Sequence, residues 1–345
     1  MAILRGERPA CVVWNIHGAL LRRGEQERNL RNSGLGIVEK GVSAFRCYSP
    51  HIGISEKIVW EGGVCRNHKT YQTPNGELRA QTVKTPGGGT WTQEYPVKSR
   101  NDLAILEYIV RDAVYENTPA AVQSAQAALG QDGIVVCRLP RSPWQQLLVE
   151  WMGIENACLA LADYPKDMDR CMNAMAKAGE QAIRFTAESS ADIAWSAENI
   201  TASITSPTLF AQYCAPYYRR AASILHKSGK LYGVHMDGQL AALKKLIADT
   251  ELDFIEGFTP PPMGDLDLAE ALAAWPNKVI WTNFPGNVFC QTDRQVMDYT
   301  LDLLRVGCAS GRFMLTIAED LPNPDRNLAL LERAVARFKQ EWKPT

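Results

Sequence analysis

The chain has 345 residues, 46% apolar and 22% charged, enough to bury a large core and too ordinary a composition for a disordered or fibrous protein. Its 37 basic and 38 acidic residues give a net charge of -1, which removes any electrostatic reason to expect nucleic acid or an anionic membrane as partner. No stretch approaches the roughly 20 apolar residues of a membrane helix, no signal-peptide core opens the chain, and its 9 cysteines include no C-x-x-C pair, so a cytoplasmic globular protein without a disulfide framework is expected.

From Cys11 onward, short β-like runs alternate with longer helical ones, the pattern of parallel βα units. The predicted strands are Cys11 to Trp14, Val42 to Tyr48, Ile134 to Arg138, Asp192 to Ser196, Lys230 to His235, Asp253 to Glu256, Lys278 to Thr282 and Phe313 to Ile317. Eight such runs are what a closed (β/α)8 TIM barrel requires. Between about residues 57 and 97, alternating residues and the turn Thr73-Pro74-Asn75-Gly76-Glu77 predict an inserted N-terminal β-hairpin with Asn-Gly at its tip. Gly87-Gly88-Gly89 reads as a plain loop, because no Lys-Ser or Lys-Thr pair follows it. Further on, Ser206-Pro207 caps a helix that ends near Lys227, and helical stretches near Leu240, Leu266, Thr292 and Asn327 separate the later strands. Nothing marks a linker, so residues 1–345 are expected to form a single barrel domain.

Barrel enzymes place their chemistry at the C-terminal strand ends, and in the second half of this chain each such end carries a polar residue. Glu198 and Asn199 follow one predicted strand, His235 and Asp237 the next, then Glu256, Asn283, and Glu319 with Asp320. In His235-Met236-Asp237-Gly238, residues two apart on an extended segment point the same way, so an imidazole and a carboxylate can converge on one ion. Each residue also has a plainer reading. His235 could donate to a carbonyl in the core, Glu256 could pair with a rim lysine or arginine, and Glu319 could cap the next helix. Glu198 is open between general acid, metal ligand and structural acceptor. Asn283 could orient substrate or shape a turn, and Phe258 and Phe284, just past strand ends, could enclose an apolar substrate.

Several segments resemble the uroporphyrinogen decarboxylase-like superfamily. They are Ala191-Asp192-Ile193, Ser206-Pro207-Thr208-Leu209-Phe210, Ala215-Pro216-Tyr217, the His235-Met236-Asp237-Gly238 turn and Leu252-Asp253-Phe254-Ile255-Glu256, with weaker likeness through residues 73–78 and 143–153. The resemblance implies the barrel and two kinds of chemistry, decarboxylation and methyl transfer. Zinc methyltransferases of the superfamily carry a His-x-Cys pair and a later Cys, and methionine synthase adds a Glu between them. The corresponding positions here are His235, Asp237, Glu256 and Glu319, with carboxylates where thiolates would be expected. Such a set suits zinc and also admits manganese or iron, and leaves the metal a stronger Lewis acid.

The decarboxylases are expected to hold their tetracarboxylate with an arginine-rich N-terminal segment. Here that place is taken by Trp14-Asn15-Ile16-His17-Gly18-Ala19-Leu20, so Trp14 and Asn15 are expected to face a different substrate. The implied function is a metal-dependent methyltransferase that moves a methyl group from a small methylated, chiefly methoxylated, substrate to a corrinoid protein. Metal ligands would be His235, Asp237, Glu256 and Glu319, with Glu198 or Glu256 as proton donor. The alternatives are a decarboxylase of tetrapyrrole biosynthesis and a non-catalytic barrel that binds a tetrapyrrole or corrinoid.

Overall fold

Eight short parallel strands close on themselves. In chain order they are β1 (Trp14–His17), β2 (Leu35–Val42), β3 (Gly133–Leu139), β4 (Ile193–Ser196), β5 (Leu231–His235), β6 (Phe254–Phe258), β7 (Val279–Asn283) and β8 (Phe313–Ile317). Around the ring the order is β1-β8-β7-β6-β5-β4-β3-β2, with each strand parallel to both neighbours, so no sheet edge is left open. This computed structural model describes residues 1–9, 11–85, 89–318 and 322–342. Gly87, Gly88, Glu319 and Asp320 therefore lie outside the described residues.

Two of the predicted strands are corrected. The first lies three residues further on, at Trp14–His17. The second is Leu35–Val42, whereas the predicted run Val42 to Tyr48 covers only its last residue and then a separate strand, Phe45–Tyr48, outside the barrel. The stretch Leu35-Gly36-Ile37-Val38-Glu39-Lys40-Gly41-Val42 carries two glycines and two charges, so it lacks the apolar run that marks a buried strand. It pairs all the same with β1 and β3.

Alternation puts Val38, Val136, Ile193, Trp195, Phe254, Val279, Trp281 and Met314 into one buried cluster inside the barrel, the layered filling of this fold. Helices connect the later strands. Ser206 Oγ accepts Leu209 N at 3.4 Å to start the helical run that ends at Lys227, and Thr292 with Gln295 forms a capping box on the helix Asp293–Ser310.

The chain divides into two compact units. The barrel unit comprises residues 1–44, 118–139 and 183–345, and the second comprises residues 45–117 and 140–182. In the second, the expected hairpin is a four-stranded antiparallel sheet of Gly53–Glu61, Val64–Thr73, Gly76–Lys84 and Thr90–Glu94. Asn75-Gly76 sits at its middle turn as expected, where Thr73 pairs with Gly76 and Thr73 Oγ1 accepts Asn75 N at 3.1 Å. Phe45–Tyr48 pairs antiparallel with Val114–Asn117, and Ser99 caps the helix Arg100–Asp112 through Asp102 N.

Candidate functional site

His235 ends β5 and lies in register with Glu256 on β6. The two strands thus deliver an imidazole and a carboxylate side by side, and His235 Nδ1 donates to Glu256 Oε2 at 2.7 Å. Gly257 makes this contact possible. It bulges β6 at φ 79°, and a Cβ on it would come within 2.5 Å of the His235 ring.

Glu256 is fully buried and receives three donors. Lys40 Nζ reaches Oε1 at 2.5 Å, and Trp195 Nε1 joins His235 on Oε2 at 2.9 Å. His17 Nε2 lies 3.6 Å from Oε1 and, among the described residues, has no hydrogen-bond partner. Burial by itself would raise the Glu256 pKa, but Lys40 and His235 hold it well below the carboxylate range. Burial pulls the Lys40 ammonium down from its ordinary value, against the opposing pull of Glu256. For His235 burial also works downward, and the charges of Glu256 and Asp237 overcome it, holding the imidazole up at about 9. Lys40 lies 4.4 Å from the Trp195 ring centroid and 5.9 Å from that of Trp281, so its charge faces two indole rings.

Above this group opens a pocket of about 260 Å³ lined by His17, Lys40, Trp195, Asn199, His235, Asp237 and Asn283, with Ala197 and Ala318. Asn199 holds a left-handed backbone, φ 55°, at this rim. Asn283 accepts Ala318 N at 3.3 Å through its side-chain oxygen.

The other expected site residues lie elsewhere. Glu198 is fully buried and accepts Tyr218 OH at 3.0 Å, so of the neighbours Glu198 and Asn199 it is the asparagine that faces the pocket. Trp14 is buried in the core, and Asn15 Oδ1 takes Thr316 Oγ1 at 2.9 Å and Trp281 Nε1 at 3.3 Å inside the barrel. Phe258 packs edge-on against Trp275, and Phe284 stacks on Phe289 with centroids 4.4 Å apart. These four side chains build the core and do not line the pocket. Lys40 and His17 went unrecognised as site residues; for Lys40 the missed strand β2 is the reason.

A divalent ion needs donors aimed at one point. His235 Nε2 and Asp237 Oδ2 are 3.4 Å apart, an ion-pair contact whose length is also about the separation of two ligands held near 2.1 Å by a tetrahedral ion. Glu256, expected as a ligand, has Lys40, Trp195 and His235 on its oxygens, and its bond to Nδ1 turns Nε2 toward the pocket. Among the described residues no three His, Cys, Asp or Glu side chains converge, and Glu319 is outside that set. The described donors that could face one ion are two, His235 Nε2 and Asp237 Oδ2, with Glu256 behind the imidazole on Nδ1.

Fold and site define a (β/α)8 barrel with a polar site at the C-terminal mouth. Residues 82–278, more than half of the chain, match the uroporphyrinogen decarboxylase (URO-D) family, and the chain belongs to it. No curated protein matches the sequence. Among solved structures, a methyltransferase from Methanosarcina mazei is similar at 12% identity and TM-score 0.59, over 98% of this chain and 97% of that one. A protein described as a vitamin-B12 independent methionine synthase from Listeria monocytogenes is similar at 10% identity and TM-score 0.39, over 65% and 70%. An endo-beta-1,4-mannanase from Thermotoga petrophila gives 11% identity and TM-score 0.43, over 99% and 79%. At 12% identity the first likeness is one of fold alone. No helix among the described residues is long and apolar enough to cross a membrane.

Proposed function

We propose that this protein is a metal-dependent methyltransferase that takes a methyl group from a small methylated, chiefly methoxylated, substrate and passes it to the corrinoid of a separate protein. The observation that carries this reading is the 3.4 Å bite of His235 and Asp237 beside a pocket of about 260 Å³. That volume falls below the ~300–1,000 Å³ of sites for drug-sized ligands and suits one small ring or short chain. The lining includes no arginine, although a tetracarboxylate would call for several. Family membership and the barrel shared with a Methanosarcina mazei methyltransferase support the same reading.

In this reading His235 and Asp237 hold the ion, zinc in the first instance, with manganese or iron as alternatives. When bound, it supplies Lewis acidity at the heteroatom that carries the methyl group. Glu256 keeps the Nδ1 proton of His235 and so presents Nε2. Trp195, Ala197 and Ala318 give the pocket apolar lining, and Asn199 and Asn283, which also line it, orient the polar end of the substrate. Because Glu256 is held ionised and Glu198 lies in the core, neither is the acid that protonates a departing oxygen.

A second reading, decarboxylation, is favoured by the family itself and by the Lys40 ammonium at the pocket, a partner for a substrate carboxylate. One set of assays decides between them. The purified protein is mixed with a reduced corrinoid and a panel of methoxylated aromatics, methylamines and methanol; methylation of the corrinoid, seen in the visible spectrum and dependent on added metal, is expected. Metal-independent release of carbon dioxide from uroporphyrinogen, with no methylation from any donor, would overturn the methyltransferase in favour of the decarboxylase. Binding of a tetrapyrrole or corrinoid without turnover in either assay would leave a carrier barrel.

A further inference from the structure

We infer that the strand Gly53–Glu61, the free edge of the four-stranded sheet, pairs antiparallel with the same strand of a second copy of this chain, about a two-fold axis at Val59.

The two edges of this sheet differ. Thr90–Glu94 is short and pairs in broken register with Gly76–Lys84, features that blunt an edge. Gly53–Glu61 runs nine residues in unbroken register with Val64–Thr73 and, among the described residues, has no strand on its other side. Its hairpin closes through Gly62-Gly63, with φ of 58° and 78°, the two-residue turn that makes Glu61 and Val64 a hydrogen-bonded pair. Such pairs recur at every second residue. Val59, Lys57 and Ser55 therefore bond to Val64–Thr73, while Trp60, Ile58, Glu56 and Ile54 turn their N–H and C=O groups to the free edge. A row of such groups is a template for another strand.

The side chains select which strand. Trp60 is 71% exposed and Ile58 64%, both on one face of the sheet. On the other face Lys57 forms no ion pair among the described residues, and Glu61 has a loose one, 3.6 Å from Arg66. With the axis at Val59, Ile58 lies opposite the partner's Trp60, and Lys57 lies opposite the partner's Glu61. Each pair occurs twice, one apolar and the other of opposite charge, the two kinds that stabilise a ladder. Ile58 and Trp60 then exchange their outward backbone hydrogen bonds with the partner's Trp60 and Ile58. An axis at Lys57 would set lysine against lysine, one at Glu56 glutamate against glutamate, and one at Ile58 would place Glu56 against the partner's Trp60.

Sedimentation velocity over a concentration series tests this. Wild type should show a monomer–dimer equilibrium. Lys57→Glu puts two like-charge pairs into the interface and should weaken dimerisation by about tenfold or more; Lys57→Glu with Glu61→Lys restores opposite charges and should return it toward wild type. Val59→Cys should form an intermolecular disulfide under mild oxidation, because opposed residues that are not hydrogen-bonded bring their Cα atoms to about 4.5 Å. Ile58→Cys, Lys57→Cys and wild type with its own exposed cysteines should not link at that rate. A wild type that stays monomeric at about 0.1 mM would overturn the inference and leave the edge to a strand of another protein. A dimer untouched by Lys57→Glu, or linked through Ile58→Cys instead of Val59→Cys, would also overturn it, by placing the contact on another face or in another register.

Discussion

Lys40 and Glu256 meet across the full width of the barrel, Nζ to Oε1 at 2.5 Å, with the carboxylate fully buried and the lysine side chain 13% exposed. A buried pair of this kind adds little relative to an apolar pair of the same shape, but removing one member leaves an uncompensated charge in the interior. Lys40→Met should therefore lower stability by about 3–5 kcal/mol. Adding Glu256→Gln should recover most of that loss, since a neutral amide no longer needs the cation. Urea unfolding of the three proteins checks this, and a single variant as stable as wild type would show that Glu256 is not held by Lys40.

The two-donor bite makes its own demand. His235→Ala and Asp237→Ala should each abolish stoichiometric binding of a divalent ion while leaving the far-ultraviolet circular dichroism of a folded barrel. Asp237→Cys replaces a hard oxygen with a thiolate and should raise the preference for Zn²⁺ over Mn²⁺. Competitive metal titrations measure this, and unchanged selectivity would remove Asp237 from the ligands.

The barrel was legible in the sequence wherever a strand is buried on both faces. Leu231–His235, Phe254–Phe258 and Val279–Asn283 read as apolar runs because both of their surfaces are covered, and those runs carried His235, Glu256 and Asn283 to the rim. Leu35–Val42 was hidden because its inward residue Lys40 is a charge matched only by a partner 216 positions away, which no local pattern reveals. Direction was a second limit. Glu198 and Asn199 are adjacent, and a backbone with φ 55° at Asn199 turns the asparagine to the pocket and the glutamate into the core, an outcome that spacing alone does not encode. The aromatic residues past the strand ends went to the more common use of large rings, which is packing.

Gly257 offers a test of how tightly β6 supports the imidazole. Its φ of 79° costs an alanine about 1–2 kcal/mol, and a Cβ there would overlap the His235 ring at 2.5 Å. Gly6 has a similar φ of 81°, and a Cβ there would meet nothing within 4 Å, so Gly6→Ala isolates the backbone cost. Gly257→Ala should lose clearly more stability than Gly6→Ala in thermal unfolding and should weaken metal binding by displacing His235. Equal losses in the two variants would mean that the imidazole moves aside freely.

The second unit should lose stability in acid through a cluster of ion pairs. Arg170 bonds Glu107 and Asp167, both at 2.7 Å; Arg111 reaches Glu107 at 2.7 Å and Arg100 reaches Asp167 at 2.6 Å. For Glu107, burial would raise the carboxyl pKa and the arginines Arg170 and Arg111 more than reverse it; for Asp167, Arg170 and Arg100 lower it directly. A carboxylate whose folded pKa lies below its unfolded value contributes stability above the unfolded value, and that contribution fades as pH falls through the folded one. The effect is therefore complete at neutral pH and fades as pH drops below the ordinary carboxylate range, near ~4. A Glu107→Gln, Asp167→Asn double variant should be less stable than wild type at pH 7, and the gap between them should close on acidification. Urea midpoints across this range measure the gap. A constant difference would assign the loss to packing and hydrogen bonding rather than to charge, and a widening one would reverse the sign of the argument.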